Sequence, residues 1–247
     1  MGASGQTAFS IEYDVPGRQE THLDTLQRSV EYFYDAVGNL ETIDYADSTP
    51  DVSLTYTDRN ELHTMTDGFG VTTFAYTPSG LLDSEDGPGT NDLVNYDYDS
   101  ARRRSKLTLT QPTGSWVQDY AYDSASRLKT IVADSGTFTY HYPDGTGALS
   151  AASRAWKQLD LPGGHKIIHD HDSLGRLTQT ELKNTSNMAL NRHAYQFNAR
   201  HQRTRQTFLN GNYMDYDYDN LGQLELVDGR ESGAAVRLHE QLSYRGE

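Results

Sequence analysis

The residues whose types and spacing best suit chemistry are His169-Asp170-His171-Asp172, with His165 just upstream. Alternate residues of a strand share a face, so His169 and His171 would present two imidazoles together, a spacing found in β-sheet metal sites. The simpler reading is structural. His171 stands where a repeated aromatic occurs elsewhere in the chain, and an imidazole there hydrogen-bonds within a wall of side chains. That reading is preferred, and no metal ligand is assigned. Asp97-Tyr98-Asp99 and Asp215-Tyr216-Asp217-Tyr218-Asp219 alternate carboxylates in the manner of a calcium site. Neither has the turn glycine and terminal glutamate of a calcium loop, and alternation more simply marks the wet face of a strand. The chain has no cysteine, which excludes disulfides, thiolate metal sites and a cysteine nucleophile. Serine, histidine and aspartate are all present, but without a Gly-x-Ser-x-Gly elbow or a phosphate loop. The carboxylate pairs that a glycosidase needs recur in step with the turns, which is a structural cause for them. No catalytic residue and no cofactor are assigned, and the chain is expected not to be an enzyme.

The elements that carry these residues repeat. The string is aromatic–x–Tyr–Asp–x–x–Gly–polar–Leu, as in Tyr32-Phe33-Tyr34-Asp35 through Gly38-Asn39-Leu40 and Tyr216-Asp217-Tyr218-Asp219 through Gly222-Gln223-Leu224. Tyr120-Ala121-Tyr122-Asp123 continues with Ser126 in the glycine position, and His171-Asp172 continues to Gly175-Arg176-Leu177. Taking the second aromatic as an anchor gives Tyr13, Tyr34, Tyr56, Tyr76, Tyr98, Tyr122, Tyr142, His171, Phe197, Tyr218 and Tyr244, at intervals of 20 to 29 residues. A steady period of this length marks a repeat array. Within each unit the aromatics two apart share a strand face. The following Asp (Asp35, Asp123, Asp172, Asp219) accepts backbone N–H groups in a turn, and the glycine three further on (Gly38, Gly175, Gly222) supplies a left-handed residue. Leu40, Leu128, Leu177 and Leu224 start the return strand. Ile43, Ile131 and Val227 follow three residues later, an odd separation that calls for a bulge if both are to share a face.

Second turns are expected at Asp67-Gly68, Asp86-Gly87-Pro88-Gly89, Pro112-Thr113-Gly114, Ser135-Gly136 and Asn210-Gly211. Each unit is therefore strand, turn, strand, turn. The whole predicts an all-β fold of about twenty antiparallel strands, in which tandem hairpins form one continuous curved or spiral sheet. Helical patterning is confined to weak stretches at Asp24 to Glu31 and Gly233 to Gln241. Residues 1–247 are expected to form a single array, a fragment of a longer protein, interrupted at 148–166 by an irregular insertion or long loop. Composition agrees: 17 tyrosines suit half-buried strand faces, and 21 glycines suit many turns.

A formal net charge of −14 opposes binding to nucleic acid, which needs clustered Lys and Arg. The nearest cluster, Arg102-Arg103-Arg104 with Lys106, is short and flanked by Asp97 and Asp99. No apolar run is long enough to insert into a membrane, and no signal peptide precedes the repeats.

The repeated string at this period resembles the tyrosine-aspartate (YD) repeat of the rearrangement hotspot (Rhs) family. That family includes bacterial polymorphic toxins, the C components of insecticidal toxin complexes and the teneurins. The resemblance runs from Tyr13 to Tyr244. It implies hairpins joined edge to edge into a strip that spirals into a hollow shell. The implied role is a non-enzymatic shell segment that encloses or displays another domain, in toxin delivery or at a cell surface, and so a secreted or surface location. The implied partners are the rest of a longer Rhs-type polypeptide or its cargo domain, with open sheet edges able to pair copies into a homo-oligomer. The Asp-Pro-containing segment near the self-cleaving end of toxin members has no counterpart here, so cleavage is carried over to no residue. A surface glycan- or protein-binding adhesion module, using exposed tyrosines with Trp116 or Trp156, is the alternative. A carboxylate-based hydrolase is the second alternative.

Overall fold

The computed structural model describes residues 10–24, 28–145, 147, 149–150, 153–233 and 241–243. The chain is all-β, and two compact units divide it, Met1–Gln118 and Asp119–Glu247. The first holds β1 (Ser10–Tyr13), β2 (Gln19–Leu23), β3 (Ser29–Tyr34), β4 (Leu40–Tyr45), β5 (Val52–Tyr56), β6 (Leu62–Asp67), β7 (Gly70–Tyr76), β8 (Leu82–Asp86), β9 (Leu93–Tyr98) and β10 (Arg104–Gln111). Strand β11 (Gly114–Tyr122) runs across the division. The second unit holds β12 (Leu128–Ala133), β13 (Gly136–His141), β14 (Gln158–Asp160), β15 (Lys166–His171), β16 (Leu177–Lys183), β17 (Ala189–Phe197), β18 (Arg203–Phe208), β19 (Tyr213–Tyr218), β20 (Leu224–Arg230) and β21 (Gln241–Ser243). In the first unit each strand pairs antiparallel with the next, from β1 to β10. The same holds from β12 to β21 in the second. Each unit is thus a meander of hairpins.

The turns after the anchors share one geometry, set by local chemistry. The Asp35 N–H donates to the Asn39 carbonyl at 2.9 Å, and the Gly38 N–H donates back to the Asp35 carbonyl at 3.1 Å. The third residue after the Asp position is left-handed: Gly38 has φ 99°, Gly175 has φ 79° and Gly222 has φ 87°. Where the motif lacks glycine, Asn60, Arg102, Ser126 and His201 hold the same place at φ 59–65°. The bulge expected between Leu40 and Ile43 is present. Tyr34 pairs with Leu40, Phe33 with Thr42 and Tyr32 with Ile43, so Glu41 is the extra residue and Leu40 and Ile43 face the same way. The pairings of Tyr218 with Leu224, Asp217 with Leu226 and Tyr216 with Val227 repeat it. The left-handed turn predicts that Gly222→Val lowers stability by about 1–2 kcal/mol, because a β-branched residue is disfavoured there. A urea midpoint equal to wild type would show that the turn does not need glycine.

Within each unit the sheet is a single layer. Pro143, Glu181 and Val227 are the only buried residues among those described. Alternation along the strands therefore makes one half-buried face and one exposed face: Tyr96, Tyr98, Tyr216 and Tyr218 are on the first, Asp97 and Asp217 on the second.

Two expectations need correction. Residues 29–31 of the stretch read as weakly helical are strand, because they pair with β2 on one side and Val30 and Glu31 pair with β4 on the other; residues 25–27 lie outside the described set. Of the other helical stretch, residues 234–240 lie outside it, as does the anchor Tyr244, and Gln241 begins β21. The irregular segment is also displaced. It stands between β13 and β14, whereas 158–160 form a strand paired on both sides and 162–164 form the following second turn. The excursion replaces the turn that would follow Tyr142. Within it, residues 146, 148, 151 and 152 are outside the described set.

Candidate functional site

The anchors and turns meet in a joint that recurs between successive hairpins. Five anchor tyrosines, at or just past the end of an outgoing strand, reach sideways to the first residue of the preceding return strand. Tyr34 Oη donates to the Gln19 carbonyl at 2.8 Å, Tyr56 Oη to Leu40 at 2.7 Å and Tyr98 Oη to Leu82 at 2.7 Å. In the second unit Tyr142 Oη donates to Leu128 at 2.8 Å and Tyr218 Oη to Arg203 at 2.8 Å. Phe197, at the equivalent place, has no hydroxyl to give.

A guanidinium completes the joint. Arg18 lies over the Tyr34 ring at 4.3 Å, Arg127 over Tyr142 at 4.3 Å and Arg176 over Phe197 at 4.9 Å. Each of these arginines comes from the turn of the preceding hairpin, four residues after its Asp. It is aimed by that Asp: Arg18 Nε–Asp14 Oδ2 is 2.7 Å, Arg127 Nε–Asp123 Oδ2 is 2.7 Å and Arg176 Nε–Asp172 Oδ2 is 2.6 Å. The other carboxylate oxygen caps the turn, as where Asp123 Oδ1 accepts the N–H groups of Ala125 and Arg127, both at 2.9 Å. One aspartate thus holds its own turn and positions the cation that packs on the next ring. A terminal nitrogen of the arginine reaches further. Arg127 Nη1 donates to the Ser153 carbonyl at 3.0 Å, so the excursion accepts the bond that a neighbouring turn accepts elsewhere. Arg176 Nη1 donates to the Asn198 carbonyl of the next turn at 3.3 Å in the same way, and from other turn positions Arg102 Nη2 donates to Ser79 at 2.8 Å and Arg200 Nη1 to Asn220 at 3.2 Å.

Neighbouring units are linked at these joints by hydroxyl on carbonyl and guanidinium on ring. The repeated string contained the signal, since its position after the glycine is Arg, Asn or Gln; sequence reasoning gave that residue no role. Asp99 and Asp219 also act as turn caps, whereas Asp97 and Asp217 keep the wet face expected of them. Tyr76 and Tyr122 end β7 and β11 as anchors do, and Tyr13 ends β1 with 61% of its surface exposed.

Opposite the joints, the second turns are stitched by close packing. A Cβ on Gly70 would meet Pro88 Cβ at 2.6 Å, one on Gly136 would meet Pro162 Cβ at 2.9 Å, and one on Gly68 would meet Pro50 Cγ at 2.8 Å. Each pair joins second turns of neighbouring hairpins.

The turn carboxyls of Asp14, Asp35, Asp99, Asp123 and Asp172 titrate below their usual range. The Arg103 side chain, then its backbone N–H, lowers the pKa of Asp99; the Arg127 backbone N–H leads at Asp123. At Asp35 and Asp172 burial pushes the carboxyl up, and hydrogen bonds from Asn39 and Arg176 outweigh it. A folded-state pKa below the ordinary 3.8 means stability that is complete above that value and is lost as pH falls through the folded value. The urea midpoint is expected to fall steeply below pH 3.8. Replacing Asp99, Asp123 and Asp172 together by Asn, the residue that already caps the turn at Asn198, should flatten that acid limb. An acid limb of unchanged slope would assign the loss to other carboxylates.

The histidine cluster is organised around packing. Trp156 stacks on His169 with centroids 3.7 Å apart and planes at 22°, Tyr140 meets the edge of Trp156 at 6.2 Å, and His169 and His171 are edge to face at 6.1 Å. Burial, then the neighbouring His171, holds the His169 imidazole below its usual pKa. The pocket beside it measures about 180 Å³ and is lined by Asp144, Lys157, His169 and His171, among others. No group of three metal-binding side chains occurs among the described residues.

No family model matches the chain, and no curated protein matches it. Among solved structures, the crystal structure of TcdB2-TccC3-TEV superposes with a TM-score of 0.68 at 14% identity, over 97% of this chain and 13% of that one. The crystal structure of TcdB2-TccC3 gives 0.46 at 14% identity over 96% and 14% of the two chains. The Photorhabdus luminescens Tc holotoxin pore gives 0.36 at 16% identity over 97% and 15%. The first likeness is one of fold. This chain spans 13% of the length of the structure it matches there.

Proposed function

We propose that the chain is a non-enzymatic segment of a β-hairpin shell, part of a longer Rhs-type polypeptide that encloses or displays another domain outside the cell. The observation that carries this reading is the recurring joint. Five anchor hydroxyls bond to the preceding hairpin at 2.7–2.8 Å. A fold built from one repeated lateral contact grows as a wall and has no need of a central core, in keeping with the scarcity of buried residues. The fold shared with part of TcdB2-TccC3-TEV supports the same reading. In the parent polypeptide, the domain adjoining this chain should resist protease until the hairpins are unfolded by acid or urea. Cleavage of that domain at the same rate before and after unfolding would reject enclosure.

The adhesion reading keeps one specific support: Trp116 on β11 is 37% exposed, whereas Trp156 is occupied by Tyr140 and His169. Saturable binding to a glycan that Trp116→Ala abolishes would favour adhesion over enclosure.

A further inference from the structure

The second turn between β18 and β19 contains the only Asn-Gly dipeptide in the chain, Asn210-Gly211. Its groups are placed for an internal reaction. The Asn212 N–H donates to Asn210 Oδ1 at 3.0 Å, which polarises the side-chain amide carbon and offers a donor to an oxyanion formed there. The Ser232 hydroxyl donates to the Asn210 main-chain carbonyl at 3.1 Å. That carbonyl belongs to the same peptide group as the Gly211 nitrogen, so the bond makes the Gly211 N–H more acidic. Gly211 presents no side chain to block approach, and Asn210 is exposed to water. One contact restrains the reaction: the Gly211 N–H donates to the Phe208 carbonyl at 3.0 Å and must leave it first.

We infer that Asn210-Gly211 is a self-modifying turn, whose deamidation is assisted by Ser232 from the next hairpin. Hydroxide takes the Gly211 N–H proton, and the nitrogen attacks Asn210 Cγ and forms a new C–N bond. The bond from Cγ to Nδ2 breaks, and the leaving nitrogen takes a proton from water and departs as ammonia. Water then opens the cyclic imide at either carbonyl, giving aspartate or isoaspartate. Either product adds a negative charge to the turn. The isoaspartate route also lengthens the backbone by one carbon between Asn210 and Gly211, which pulls apart the ties from Ser232 to Asn210 and from the Ser232 N–H to Asn212 Oδ1, the latter 3.0 Å. The reaction therefore loosens the link between these two hairpins with age.

The test is peptide mapping by mass spectrometry of the whole chain, held in mildly alkaline buffer. Amide-to-acid conversion should appear first at Asn210. Ser232→Ala, which leaves Asn-Gly intact, should slow it about fivefold, the worth of one hydrogen bond. In urea the two proteins should react at equal rates, since the tie is then absent from both. Equal rates for the two folded proteins, confirmed as folded by circular dichroism, would reduce the effect to the dipeptide alone and overturn the inference. So would earlier conversion at any other asparagine.

Discussion

Tyr142→Ala should destabilise the second unit by about 2–3 kcal/mol, measured as a fall in the urea midpoint at constant slope. The ring is half-buried, so the loss lies below that of a core aromatic. It includes more than area, however. The substitution removes the hydroxyl bond to the Leu128 carbonyl at 2.8 Å and the surface on which Arg127 packs at 4.3 Å. Arg127 would keep its ion pair with Asp123 but lose the ring that holds it, and the hairpin of β12 and β13 would be tied only by its ladder. Tyr142→Phe separates the contributions. It keeps the ring under the guanidinium and should lose only about 1 kcal/mol, one hydrogen bond. Tyr13→Ala is the control, since that anchor is 61% exposed and should lose under about 1 kcal/mol. If Tyr13→Ala and Tyr142→Ala have equal effects, the joint is not what stabilises the repeat.

A larger backbone effect is expected opposite the joints. Gly70 has φ 136°, a conformation open almost only to glycine, and a Cβ there would stand 2.6 Å from Pro88 Cβ. Gly70→Val combines two costs. Backbone strain contributes about 1–3 kcal/mol and forced packing a similar amount. Neither partner relieves the clash cheaply, because proline is a rigid ring in the next second turn. The expected loss is about 2–6 kcal/mol, enough to shift the thermal midpoint clearly. Gly114→Val tests the division of the cost. Gly114 has φ 141°, but a Cβ there meets nothing within 4 Å, so only the strain remains. Equal losses at the two positions would show that packing between second turns contributes nothing.

The difference between these two glycines shows where sequence stops. By itself, the sequence determined the repeat, the all-β class and the positions of most turns. These follow from chemistry confined to a few neighbouring residues. A carboxylate reaches the N–H groups two and four residues ahead, as Asp35 Oδ1 reaches Val37 and Asn39. Glycine or a small polar residue takes the left-handed place, and aromatics two apart share a face. The odd step from Leu40 to Ile43 allowed either a bulge or a less buried partner, and only the strand pairing shows Glu41 to be an extra residue. Tertiary structure alone decided what each side chain touches in the next hairpin. Tyr34 meets Gln19, fifteen residues back, and Tyr56 meets Leu40, sixteen residues back. That offset is the sum of a bulge, a turn and two strand lengths, and changing any one by a residue turns the side chains to the other face. For the same reason Arg127 could be read as the polar residue of a turn but not as the cation over Tyr142, and His171 as an anchor but not as a neighbour of the His169–Trp156 stack. Local hydrogen bonding is specified by short-range spacing, whereas contact between hairpins depends on register, which exists only once the strands have paired.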